Sequence, residues 1–133
     1  MSASVEHSSS ALADTSWFLA REQRRPIRAH PGQMAVSIVT IAELRLGVLV
    51  TGDAGSRAER LSILLYAESL TLLPVDRLVA EAWAQLMQRL RAVERELAFN
   101  ESWIAATAIA HGIPIISRDA DYDGVPGLHV IRV

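Results

Sequence analysis

Short apolar runs closed by polar or acidic residues alternate along this chain with longer stretches of helical spacing. Ala11-Leu12-Ala13 is the first run, closed by Asp14-Thr15-Ser16. A strand ending at Asp14 and a helix starting near Ser16 are expected there, since Asp, Thr and Ser are all good helix caps. Ala35 to Val39 alternates and is β-branched, which predicts a strand, with a helix opening at Thr40 and running to Val50. Gly52 to Gly55 reads as a loop. Arg57 to Ser69 carries Leu61, Leu64 and Leu65 at helical spacing. Thr71 to Val75 reads as a short strand whose Pro74 places it at an edge or an end. Arg77 to Leu97 predicts a long amphipathic helix with Leu78, Ala82, Leu86 and Leu90 along one face. A small-residue apolar helix from Asn100 to His111 stops at Gly112, which suits the left-handed conformation that closes a helix. A strand-like run from Ile113 to Ser117, an acidic turn from Arg118 to Tyr122, a Gly/Pro turn at 124–127 and a last strand, His129 to Val133, complete the chain.

This succession is an α/β layout, and in such sheets ligands bind beyond the carboxyl ends of the strands. Asp14, Glu43, Glu101 and Asp119 each stand at a strand end or a helix start, with Asp121 close by. Each has a plain structural reading. Asp14 fits a cap, Thr40 with Glu43 fits a capping box, Glu101 fits the helix dipole, and Asp119 and Asp121 fit a turn. In a parallel sheet, however, they gather at one edge, where like charges take up protons or a cation. Oxygen ligands without His or Cys point to Mg²⁺ or Mn²⁺ and so to phosphodiester hydrolysis. Thr15 and Ser16 could orient Asp14 or merely cap a helix. Asn100 is either the cap of its helix or a polar wall of the site. Arg24, Arg25 and Arg28, with Arg21, could hold a nucleic-acid backbone or form a solvated charged loop.

Composition narrows the chemistry. The chain has 133 residues, enough for one domain with a real core. It has no cysteine, which excludes disulfides, thiolate zinc sites and cysteine nucleophiles. All 13 basic residues are arginine, which excludes a P-loop lysine and Schiff-base chemistry. The four histidines show no zinc-ligand spacing. A net charge of -2 gives no global pull toward nucleic acid, so any such contact must be local. No stretch approaches the ~18 apolar residues of a membrane span. Residues 1–10 are polar and Ser-rich and read as a disordered tail of a cytoplasmic protein, with one domain over residues 11–133.

Four blocks, taken together, resemble a known family. They are Asp14-Thr15-Ser16, Thr40-Ile41-Ala42-Glu43-Leu44 with Gly47, Asn100 to Ala108, and Ser117-Arg118-Asp119-Ala120-Asp121-Tyr122. In order and spacing they look like the signature blocks of PIN-domain ribonucleases, in particular the VapC toxins of bacterial type II toxin–antitoxin systems. The resemblance implies a three-layer α/β/α sandwich with a central, mainly parallel sheet of four or five strands. It implies a ribonuclease using Mg²⁺ or Mn²⁺, a cognate VapB-type antitoxin that blocks the site, and a homodimer. Carried over by position, the metal site is Asp14, Glu43, Glu101 and Asp119, with Asp121 as an additional or alternative acid. The pair Asn100-Glu101 departs from the family's usual Asn-Asp. That departure keeps a second reading open: a catalytically weak PIN domain acting mainly by binding RNA or its antitoxin.

Overall fold

The computed structural model describes residues 10–22 and 32–133. The expected tail, apart from Ser10, and the arginines Arg24, Arg25 and Arg28 lie outside the described residues. In chain order the elements are β1 (Ala11–Ala13), α1 (Thr15–Glu22), β2 (Met34–Ser37), α2 (Ile38–Val50) and α3 (Ala54–Glu68). They continue with β3 (Thr71–Leu73), α4 (Arg77–Ala92), α5 (Phe99–His111), β4 (Ile115–Ser117), a 3-10 turn (Ala120–Tyr122) and β5 (Val130–Arg132).

The five strands form one sheet in the order β3-β2-β1-β4-β5, with every pairing parallel. Side chains alternate across a strand, so the inner strands β1, β2 and β4 feed two cores. Leu12, Ala35 and Ile115 pack with Val79, Leu86 and Leu90 of α4 and Ile104 and Ala105 of α5. Ala11, Ala13, Val36 and Ile116 pack on the other face with Trp17, Phe18, Ile41, Leu44 and Leu64 from α1, α2 and α3. The result is a three-layer α/β/α sandwich, as expected. Strand order reverses between β1 and β4, and the carboxyl ends of those two strands meet where Ala13 pairs Ile116. Such a reversal opens a crevice for ligand. Asp14 follows one of these strands and Ser117 ends the other.

Several boundaries differ from the sequence-based expectation. Helix α3 opens at Ala54 under the cap of Asp53, so Ala54 and Gly55 are helix and not loop. Strands β3 and β4 are trimmed to Thr71–Leu73 and Ile115–Ser117 beside Pro74 and Pro114. The strand expected at 35–39 ends at Ser37, whose hydroxyl caps α2 by accepting from the amide of Val39 at 3.0 Å. The helix therefore opens at Ile38, and Thr40 and Glu43 form no capping box; both are turned to the site. The helix expected to reach Leu97 ends at Ala92. There Glu94 takes the left-handed conformation at φ 52, and the amides of Glu94 and Arg95 close back onto Arg91 and Leu90. This helix-closing pattern usually employs glycine, and its absence hides the stop in the sequence. Replacing Glu94 with Gly is expected to stabilise the fold by about 1 kcal/mol, the relief of a left-handed side-chain position. A chemical-denaturation midpoint measures it. Along α4, Leu78 is 52% exposed while Val79, Leu86 and Leu90 are buried. A strict spacing of four drifts round a 3.6-residue helix, so the buried stripe starts one residue later. Finally, α5 begins at Phe99 with Ala98 before it and no side-chain cap, so Asn100 is not the cap.

Candidate metal centre

Asp14 is 2% exposed and is held from several directions. Ser117 Oγ donates to Asp14 Oδ2 at 2.8 Å, Ser16 Oγ donates to Oδ1 at 2.8 Å, and the amide of Trp17 reaches Oδ1 at 3.1 Å. Burial pushes its carboxyl above the usual range, against the pull of these donors, and the charge of Asp119 adds to the rise. Ser16 and Ser117 have further partners, beginning with each other at 3.2 Å between the two Oγ atoms. Ser16 Oγ also accepts from the amide of Arg118 at 3.1 Å, and Ser117 Oγ from the amide of Asp119 at 2.8 Å. Two hydroxyls thus tie the end of β1 to the end of β4.

Asp119 Oδ1 accepts from the amide of Asp121 at 2.9 Å and so caps the 3-10 turn. That turn brings Asp121 onto the same side as Asp119. Arg95, just beyond α4, donates to the backbone carbonyls of Asp121 and Asp123 and clamps the turn from outside. Facing it, the first turn of α5 presents Glu101. The helix start is fixed by packing rather than by a cap. Trp83 of α4 stacks on Trp103 at 4.5 Å, and its indole N–H donates to Ser102 Oγ at 2.9 Å.

Glu101, Asp119 and Asp121 each place a carboxylate oxygen within 4.8 Å of the others. Oε2 of Glu101 is buried and has no hydrogen-bond donor. Burial first, and then the charges of Asp121 and Asp119, push the Glu101 carboxyl up to about 7. A buried, unpartnered anion among like charges is costly unless a proton or a cation joins it. The donor set is oxygen only, which fits a hard divalent cation.

Glu43 stands apart from this triad. Thr15 Oγ1 donates to its Oε1 at 2.6 Å, and Asn100 Nδ2 to Oε2 at 3.4 Å. These three residues line a cavity of about 360 Å³ between α1, α2 and the start of α5. Asn100 is therefore a wall of the site, and Thr15 orients Glu43 rather than Asp14. Ser16 is the residue that orients Asp14. Beneath the acids, Tyr122 is 1% exposed. Burial, then the charges of Asp14, Glu101, Glu43 and Asp119, hold its phenol far above the ordinary range. One buried ring thus feels the charge of four of the five acids.

The sequence reading missed Ser117, Tyr122 and Arg95. A signal existed for Ser117, a hydroxyl ending an apolar strand two residues before Asp119. Ser117→Ala is expected to destabilise the protein by about 1–3 kcal/mol, because Asp14 and the Asp119 amide each lose a buried partner. It should also raise the metal concentration needed for half-maximal activity about 10–100-fold. Thermal melts and a metal titration read the two effects separately.

A buried aspartate after β1, a triad of acids between β4 and α5, and a parallel sheet with its reversal at the same point define a recognisable class. The PIN domain model matches residues 11–128, and the chain belongs to the PIN-domain family. Within that family it is 46% identical over 125 residues to the ribonuclease VapC4 of Mycobacterium tuberculosis, covering 92% of this chain and 96% of that protein. It is 38% identical over 127 residues to ribonuclease VapC5 of the same organism, covering 92% and 94%. The crystal structure of VapBC-5 from Mycobacterium tuberculosis, a toxin–antitoxin system, superposes with a TM-score of 0.80 at 37% identity, over 94% of this chain and 99% of that one. FitAcB from Neisseria gonorrhoeae superposes with a TM-score of 0.71 at 29% identity, over 91% and 96%.

Proposed function

We propose that this chain is a VapC-type toxin, a cytoplasmic endoribonuclease that hydrolyses RNA with Mg²⁺ or Mn²⁺ and is silenced by a cognate antitoxin. The observation that carries the reading is the unpartnered Oε2 of Glu101 within a triad of carboxylates. Similarity to VapC ribonucleases and to VapBC complexes supports the substrate class and the kind of partner. No described helix is long and apolar enough to cross a membrane.

In this reading Glu101, Asp119 and Asp121 would hold the cation, and Asp14 adds charge from behind. A bound divalent cation would supply the charge that makes a water acidic and steadies the oxygens of the phosphate. Glu43, held by Thr15 and Asn100, faces the open cavity and takes the proton as the water oxygen bonds to phosphorus. The phosphorus–oxygen bond to the leaving ribose breaks in the same displacement, and the departing oxygen takes a proton from solvent to leave as a hydroxyl. Ser16 and Ser117 favour the ionised form of Asp14 by donating to it, against the larger effect of its burial. Arg95 keeps the Asp121 turn in place. An antitoxin arginine set among the acids would block the site, since a guanidinium pairs bidentately with carboxylates.

The test is cleavage of bulk RNA with Mn²⁺, with Mg²⁺ and with EDTA. Cleavage is expected with either metal and none with chelator. Undiminished cleavage in EDTA would end the reading.

A further inference from the structure

A polar cleft of about 430 Å³ borders the acid site, lined by Ser16, Arg118, Asp119 and Arg132 among others. Its position follows from the sheet. β4 and β5 pair with Ser117 opposite Arg132, so Arg132 stands beside the residue that Arg118 follows. Two guanidinium-bearing residues thus share the carboxyl edge of the sheet. Asp119 lines the cleft and also belongs to the carboxylate triad, so the cleft adjoins the proposed metal site. Leu19 of α1 lines both this cleft and the cavity that holds Glu43.

We propose that this cleft seats a phosphate of single-stranded RNA next to the one being cleaved, with Arg118 and Arg132 as its contacts. The proposal rests on the ribonuclease reading. Its force comes from charge. A polyanion approaching a cluster of acids is repelled unless cations stand beside them, and the net charge of -2 supplies no general attraction. Guanidinium groups fit phosphate as a bidentate fork. The amide of Arg118 is anchored on Ser16 Oγ at 3.1 Å, which fixes that residue at the cleft. Arg132 pairs with Asp123 at 2.6 Å, and the two side chains are 44% and 52% exposed. An exposed pair of that kind is weak, so a phosphate can compete with Asp123 for the same guanidinium.

The test uses the full chain in EDTA, so that RNA is bound but not cut. Anisotropy of a labelled single-stranded oligoribonucleotide is followed across a range of salt. Arg118→Gln and Arg132→Gln are each expected to weaken binding about fivefold at ~0.1 M salt and to lower the salt slope by ~0.7, the release from one single-strand phosphate. Asp123→Asn breaks the same ion pair as Arg132→Gln but spares the cation, and it should bind as tightly as the parent or tighter. Arg77→Gln, at the exposed start of α4, should change nothing. Thermal melts confirm that each variant is folded. Parent affinity and slope in both glutamine variants would overturn the subsite. Equal weakening by Asp123→Asn and Arg132→Gln would also overturn it, since Arg132 would then act only by holding its loop. Metal-dependent cleavage by the parent separates that failure from failure of the ribonuclease reading, which would instead show as a parent that neither binds nor cuts RNA.

Discussion

Glu101→Gln is expected to lower metal-dependent RNA cleavage by more than about 100-fold, beyond the ~10–100-fold that loss of a group merely supporting a ligand costs. The same substitution should raise the melting temperature of the metal-free protein at about pH 8. Both effects follow from one geometry. Oε2 of Glu101 is buried without a donor, and the carboxylates of Asp119 and Asp121 lie within 4.8 Å. Glutamine keeps the shape and removes a repelled charge, so the apo fold gains while the ligand is lost. If Glu101 served only the dipole of α5, its loss would instead destabilise by about 0.3–1 kcal/mol and leave cleavage alone. Glu101→Asp restores the residue usual in the family and shortens the side chain by one methylene. Octahedral Mg²⁺ at ~2.0–2.1 Å tolerates misplaced oxygens poorly. The parent should therefore work better with Mn²⁺ than with Mg²⁺, and Glu101→Asp should need less metal for half-maximal cleavage.

The stability of the metal-free protein should fall as pH rises from about 4.5 to above 7. Glu101 has an ordinary carboxyl value of 4.5 in the unfolded chain and about 7 in the fold. A raised folded value means that the fold holds a proton which the unfolded chain has released. The stabilisation from that proton is complete below 4.5 and is lost as pH passes 7. Protonated, Glu101 can share the proton with Asp121; ionised, its buried Oε2 has no donor. Asp14 acts in the same direction from its ordinary 3.8 upward. A cation replaces the proton, so the rise in melting temperature on adding Mn²⁺ should be small near pH 5 and large near pH 8. Melts across this range, with and without Mn²⁺, check both halves. A metal-free melting temperature that rose from pH 5 to 8 would contradict the assignment of Glu101.

The stretch from Asn100 to Asp121 was largely legible because its main signals agreed. The small apolar helix and the Gly112 stop at φ 64 stand where the pattern puts them, while the strand run is shortened to Ile115–Ser117 and Asn100 does not cap its helix. The acids were legible as a set but not as a geometry. Spacing cannot say that Asp14 spends its oxygens on Ser16 and Ser117, or that Glu43 spends its own on Thr15 and Asn100. Apart from the bond between Asp14 and Ser16, they join residues 28 to 103 positions apart. Asp121, read as an additional or alternative acid, lies within 4.8 Å of Glu101 and Asp119, and its amide is bound by Asp119. Helix ends failed where an unusual residue did a common job, as Glu94 does at the end of α4. The capping box at Thr40 failed because Ser37, three residues earlier, already satisfies the helix start.

Calorimetric titration of Mn²⁺ into chelator-treated protein at about pH 8 tests the metal centre without relying on any RNA substrate. Saturable binding is expected in the parent, with the heat lost in Glu101→Gln and Asp121→Asn while both variants remain folded. A parent that takes up no Mn²⁺, or triad variants that bind it as tightly as the parent, would contradict the site.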